Sequence, residues 1–213
     1  MTIALRRLPN EGRADTYHFL GALFVDRPDP DNLACMRSLA LGLESGASCP
    51  ADTVFATLLS EPNMVRLARR LRAQYDLLFA SFKNAGGLSA PCESFWRVAP
   101  LDGGYARCCE RLFRRSGYHR QDIALAADHL AEELMFMAYL CQTEARAERI
   151  GDAEAVRKAR QAQRHFMTQH LSCWVPGYCR TLSRLAEEPF YRALFGATIA
   201  TLSDDTYRLT SET

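Results

Sequence analysis

No two of the eight cysteines stand at Cys-x-x-Cys spacing. They lie at 35, 49, 92, 108, 109, 141, 173 and 179, several of them at apolar positions of helical patterns, where a free thiol acts as a small hydrophobe. A disulfide framework gains no support, and the sequence predicts free thiols in a reducing, cytoplasmic setting. Net charge is nearly absent, at +1, so no overall field draws the chain to nucleic acid or an anionic membrane. The longest strictly apolar run, Leu134 to Cys141, falls far short of the ~18 residues that a membrane span needs. The twin arginine Arg6-Arg7 is followed by Pro9, Asn10, Glu11, Gly12 and Arg13 rather than by an apolar segment. Residues 1–10 therefore read as a polar lead-in, not an export signal. No G-x-x-x-x-G-K-[ST] phosphate loop occurs, and Gly86-Gly87 and Gly103-Gly104 are isolated pairs. Strand alternation, internal repeats and low-complexity tracts are lacking as well.

What the chain does have is a 3.6-residue period in nearly every segment, with 48% hydrophobic and 24% charged residues. "ADTYHFLGALFV" carries one apolar face through Tyr17, Leu20 and Phe24, and Pro28 and Pro30 stop it. Asp31 or Asn32 caps the next helix, Pro50 suits the start of one reaching about Ser60, and Pro62 opens a longer one. Lys83 to Pro100 is the longest irregular connection, of a length that often carries function. Asp102 starts a helix that Gly117 ends, and a long helix is expected from Gln121 to Arg149. Gly151 ends that one, Asp152 caps another to about Ser172, and two helices split near Pro189 close the fold. Residues 206–213 read as a frayed tail. The expectation is one all-α domain over residues 1–213, a bundle of about nine to eleven helices.

"DHLAEELMFMAYL", Asp128 to Leu140, puts acids and a histidine at the mouth of an apolar run. On a helix His129, Glu132 and Glu133 fall at i, i+3 and i+4 and share a face, which suits half of a metal site. The spacing resembles H-x-x-E-H, with Glu133 where the second histidine would stand. His165 and His170 are candidates to complete it, although five residues splay them about 140° at ~100° per residue. An acid–base dyad of Asp128 and His129 is disfavoured, because adjacent helix residues do not face each other. The structural alternative is a capped helix start, with Leu130, Leu134, Met137 and Cys141 as a core stripe. Arg66, Arg69, Arg70 and Arg72 lie opposite Leu67, Leu71, Tyr75 and Leu78, which reads as a solvated face. In "APCESFW", Phe95 and Trp96 either anchor the loop in the core or wall a groove for an apolar peptide. Glu93 would then receive a cation beside them.

Five segments together resemble the TorD/DmsD family of molybdoenzyme maturation chaperones, which includes the NarJ-like proteins. "YHFLGALFVDRPD" is similar to the family's Y-x-x-L-x-x-L-F-x-x-P opening and "PCESFW" to its P-x-E-S-x-Y/W loop. "ADHLAEELMFMAYL" resembles its D-H-[IL]-x-x-E-L-x-F-[ML] helix, "FMTQHLSCWVPGY" its F-x-x-x-H-L-x-x-W segment, and "EPFYRAL" its terminal FY motif. The resemblance runs from about Tyr17 to Asp205. "LAADH" lacks the proline that often precedes the family's Asp-His pair, which predicts an earlier helix start.

The resemblance implies a cytoplasmic, non-catalytic helical protein without a cofactor. Its implied partner is the precursor of a molybdopterin-containing oxidoreductase catalytic subunit, bound at its N-terminal segment, often a twin-arginine signal, and held for cofactor insertion. It also implies a peptide site at Asp128, His129, Glu93, Ser94, Phe95, Trp96 and Tyr17. Carboxylates beside an apolar cleft suit a basic-then-apolar peptide, which adds Glu132 and Met137. A homodimer, including a domain-swapped one, fits the family. The alternative from another class is a metal-dependent helical enzyme using His129, Glu132 and Glu133.

Overall fold

The computed structural model describes residues 10–25, 27–43, 54, 56, 58, 60–80, 91–97, 104–120 and 124–211. The fold is all-α. Helix α1 spans Asn10–Val25, α2 Pro30–Leu43, α3 Met64–Tyr75, and α4 is a single turn, Glu93–Trp96. Helix α5 spans Gly104–Ser116, α6 Leu130–Arg149, α7 Ala153–Phe166, α8 Ser172–Leu185 and α9 Pro189–Ser211. Among the described residues, two π-helical turns interrupt the pattern, at Asp76–Ala80 after α3 and at Met167–Leu171 between α7 and α8. Among the described residues, eight helices have twelve or more residues, slightly fewer than the nine to eleven expected. The helix expected between Pro50 and Ser60 lies largely outside them, although Val54, Ala56, Leu58 and Ser60 are each helical.

Helix α6 is the centre. Its expected stripe of Leu130, Leu134, Met137 and Cys141 is buried, and so are Ala131, Phe136, Ala138 and Leu140, so the helix contacts protein on most sides. Full burial of one such Leu or Phe contributes about 1.5–3 kcal/mol. Helix α1 lies along α6, and Gly21 permits the approach: a Cβ there would sit 3.3 Å from the Ala131 carbonyl oxygen and 3.3 Å from Met135 Cε. Helix α7 packs on the other part of α6, and α8 packs on α9.

The stops and caps follow the local chemistry. Gly117 and Gly151 have φ of 72° and 73°, the left-handed conformation expected past a helix end. Asp152 accepts a hydrogen bond from the Ala155 backbone N–H at 2.9 Å and caps α7. The helix expected to open at Pro62 begins at Met64, and Asn63 caps it, accepting from the Arg66 N–H at 2.9 Å. Leu67, Leu71 and Leu78 are buried while Arg66, Arg69 and Arg70 are exposed, as the solvated-face reading expects. Arg72 donates to the Pro28 carbonyl at 2.5 Å.

Two expectations are corrected. The long helix starts at Leu130, not near Gln121, because the preceding chain is held elsewhere: the Leu130 N–H donates to the Pro91 carbonyl at 2.7 Å. The tail expected to fray from residue 206 is helical through Ser211, since Leu209 is buried and its carbonyl accepts from Arg164 Nε at 2.9 Å. No helix among the described residues is long and apolar enough to cross a membrane. The seven described cysteines are all free thiols.

Candidate functional site

The Pro91–Arg97 segment is clipped to the start of α6. The Glu93 N–H donates to the Asp128 carbonyl at 2.9 Å, Cys92 and His129 form an isolated β-bridge, and Leu130 reaches back to Pro91. Asp128 Oδ2 accepts from the Ser94 N–H at 2.8 Å, so this acid caps the single turn α4 from a distant part of the chain. Its Oδ1 is buried without a hydrogen-bond partner. His129 is the N-cap of α6, with φ −75° and ψ 137°, and its Nδ1 accepts from the Ala131 N–H at 3.2 Å.

That cap geometry removes the expected His129, Glu132 and Glu133 face. His129 is the half-in N-cap with extended backbone, and its ring is turned back onto the Ala131 N–H while the two glutamates take other partners. Glu132 pairs with Arg120, its Oε2 accepting from Nε at 3.3 Å. Glu133 turns inward. His165 is exposed, while the π turn carries His170 into the interior.

Inside, four side chains converge. His170 Nδ1 lies 2.6 Å from Glu93 Oε2 and 3.6 Å from Cys109 Sγ. Cys109 Sγ donates to Glu133 Oε1 at 3.9 Å. Each carboxylate has its other oxygen tied: Glu93 Oε1 accepts from Arg97 Nη1 at 2.6 Å, and Glu133 Oε2 from Trp174 Nε1 at 3.0 Å. All four residues are buried, and their donor atoms lie within 4.8 Å of one another. Burial and then the neighbouring Glu93 charge push the Glu133 pKa well above the carboxylate range. Burial, followed by Glu133 and Glu93, pushes the Cys109 thiol far up, and burial with Asp128 nearby raises Cys92 to about 12.

A second polar cluster sits further along α6. Arg13 donates to Asp205 through Nε and Nη2, both at 2.6 Å, to Glu144 Oε2 at 3.3 Å and to Gln163 Oε1 at 2.8 Å. Tyr17 belongs here, donating to Asp205 Oδ2 at 2.8 Å. Burial raises the Tyr17 pKa well above its usual value, with the Asp205 charge adding to it. For Glu144 burial works against the charge, but hydrogen bonds from Arg160 and Gln163 and the charges of Arg208 and Arg13 outweigh it and lower the pKa.

The structure thus separates the expected peptide-site residues. Glu93, Ser94, Asp128 and His129 come together, but Glu93 and Asp128 are fully enclosed and do not face an incoming cation. Tyr17 and Met137 are core residues elsewhere, fixed respectively by Asp205 and by the α6 stripe. Trp96 anchors the loop: it packs edge-on to Tyr178 at 5.7 Å, and a Cβ on Gly177 would meet its ring at 3.2 Å. Phe95 alone of the aromatic pair is exposed, at 61%. Glu132, itself 4% exposed, is among the residues lining a cleft of about 480 Å³ along α6. Met135, Tyr139, Leu125, Tyr118 and Val25 give the cleft apolar walls, and His18 and His119 stand at its sides. The inner pairings of Cys109, Arg13 and Asp205 carried no local sequence signal. His170 did carry one, through the segment similar to F-x-x-x-H-L-x-x-W.

Comparison with known proteins gives a consistent picture. The family model described as "Nitrate reductase delta subunit" matches residues 49–180, more than half of the chain. A protein named "Chaperone protein TorD" from Vibrio cholerae serotype O1 is 26% identical, covering 95% of this chain and 94% of that protein. A "Chlorate reductase assembly chaperone protein" from Ideonella dechloratans is 40% identical over 83 residues, 38% of this chain and 40% of its own. A crystal structure described as a candidate redox enzyme maturation protein from Archaeoglobus fulgidus matches with a TM-score of 0.53. At 17% identity over 98% of both chains, that likeness shows the fold.

Proposed function

Since the chain belongs to the nitrate reductase delta subunit family, we propose that it is a non-catalytic assembly chaperone of a molybdopterin-containing reductase. In this reading it acts in the cytoplasm. It holds the N-terminal segment of the catalytic-subunit precursor, often a twin-arginine signal, until the cofactor is inserted and export or assembly proceeds. The relatives named as chaperones support the class of activity. The observation that carries the mode of binding is the cleft along α6, with one carboxylate, Glu132, set against apolar walls.

A twin-arginine segment is basic and then apolar. An incoming guanidinium would take over the Glu132 carboxylate from Arg120, and the following apolar residues would lie on Met135, Leu125 and Tyr118. Phe95 offers a further exposed apolar contact. Asp128, His129, Glu93, Ser94 and Trp96 act as positioning residues that hold the 91–97 segment on α6. The same reading carries a homodimer, domain-swapped or not, as a second assembly state.

Titration of the purified chain with a twin-arginine peptide tests it. Glu132→Gln should weaken binding about tenfold, the loss of one charge-assisted contact, and added salt should shrink that difference. Arg70→Ala, on the solvated face of α3, should bind as the parent does. Equal binding by all three forms would rule out the cleft.

A further inference from the structure

We propose that Glu93, Cys109, Glu133 and His170 form a buried site for one divalent transition ion of borderline softness, with zinc the best match. The site is distinct from the peptide cleft and asks nothing of it. It is also not the helix-face site that the sequence suggests, because His129 and Glu132 take no part and Glu93 and Cys109 replace them.

The donor set is the first argument. One imidazole nitrogen, one sulfur and two carboxylate oxygens are within 4.8 Å of one another, and this mixture of N, S and O is what a tetrahedral zinc site uses. The arrangement of partners is the second. Each carboxylate presents one oxygen to the centre while the other is held from outside, by Arg97 on Glu93 and by Trp174 on Glu133. The far ring nitrogen of His170, Nε2, lies 3.7 Å from Cys108 Sγ, and the ring stacks on Phe166 at 4.9 Å. Outer contacts that orient ligands in this way are the usual support of a metal centre.

Charge is the third and independent argument. Asp128 lies at the same place with Oδ1 buried and without a partner, and its charge acts on both Glu133 and Cys109. Three buried carboxyl groups, Glu93, Asp128 and Glu133, cluster here, and among the described residues the guanidinium paired with them is Arg97, on Glu93. A divalent ion brings two positive charges to set against these acids and the Cys109 thiolate that forms on binding. On binding, the thiol proton of Cys109 and any proton on Glu133 leave to solvent, as metal ligation requires. The bound ion would join four separate segments, α4, α5, α6 and the π turn, and so fix the 91–97 segment to the bundle.

Cobalt(II) titration of the chelator-treated full chain, followed by optical absorption and thermal unfolding, tests the site. One equivalent should give a thiolate-to-cobalt charge-transfer band with tetrahedral d–d bands, and raise Tm by about 5 °C at saturating metal. Cys109→Ser should lose the charge-transfer band while keeping its helical circular dichroism. Cys35→Ser, exposed on α2 and outside the donor set, should keep it. Absence of the band in the parent chain, its persistence in Cys109→Ser, or its loss in Cys35→Ser would overturn the proposal.

Discussion

Helix α6 carries two buried polar clusters eleven residues apart, and they solve the problem of buried charge in opposite ways. Around Glu144 the acids are answered: Arg13, Arg160 and Arg208 surround Glu144 and Asp205, with Gln163 filling the remaining hydrogen-bond positions. Around Glu133 they are not: among the described residues Arg97 and His170 both pair with Glu93, and one Asp128 oxygen has no partner. Burial and then the Glu93 charge raise Glu133, whereas at Glu144 the hydrogen bonds from Arg160 and Gln163 and the charges of Arg208 and Arg13 outweigh burial and lower it. A balanced cluster ties helices together, here α1, α6, α7 and α9. A cluster short of positive charge is built to receive a proton or a cation.

The largest test of that contrast is Arg13→Met. It would leave Asp205 and Glu144 buried with their central partner gone, which costs about 3–5 kcal/mol for a broken buried ion pair. Urea unfolding reads this, and a loss below about 1 kcal/mol would mean that Arg160 and Arg208 suffice to balance the cluster. Next is Glu144→Gln, expected to cost about 2 kcal/mol at neutral pH through lost charged hydrogen bonds. It should also change the acid limb of stability. Because the folded pKa of Glu144 is lowered, its contribution is present above the unfolded carboxylate value. That contribution is lost as pH falls through the folded one. Glu144→Gln should remove that part of the slope, and an unchanged acid limb would contradict the assignment.

The same contrast marks the limit of what the sequence made legible. The α6 stripe from Leu130 to Cys141, the arginine face of α3, and the Gly117, Gly151 and Asp152 boundaries follow from local periodicity and capping, and they stand as expected. The start of α6 does not follow, because nothing between Gln121 and His129 breaks a helix locally. Pro91 and Glu93, far back in the chain, set that start by pairing with Leu130 and Asp128. For the same reason the His129, Glu132 and Glu133 face existed only on an imagined longer helix. Tyr17 was singled out, but its partner Asp205 lies 188 residues away. The cleft at Glu132 needed α1 beside α6 before an acid and an apolar wall could meet.

The smallest effect separates the two clusters most cleanly. Glu133→Gln keeps an oxygen for the Trp174 N–H, now 3.0 Å from Glu133 Oε2, and sets an amide N–H on the side where Glu93 and Cys109 crowd the other oxygen. It replaces a carboxyl group that burial and the Glu93 charge already push toward its neutral form. With chelator present, stability should change by no more than about 1 kcal/mol, in either direction, against the loss of about 2 at Glu144. The two substitutions are chemically identical and lie on one helix, so helix propensity and side-chain size cancel in the comparison. Equal losses in urea unfolding would mean that Glu133 is as well compensated as Glu144. The charge deficit at the head of α6, and with it the case for a cation there, would then fall.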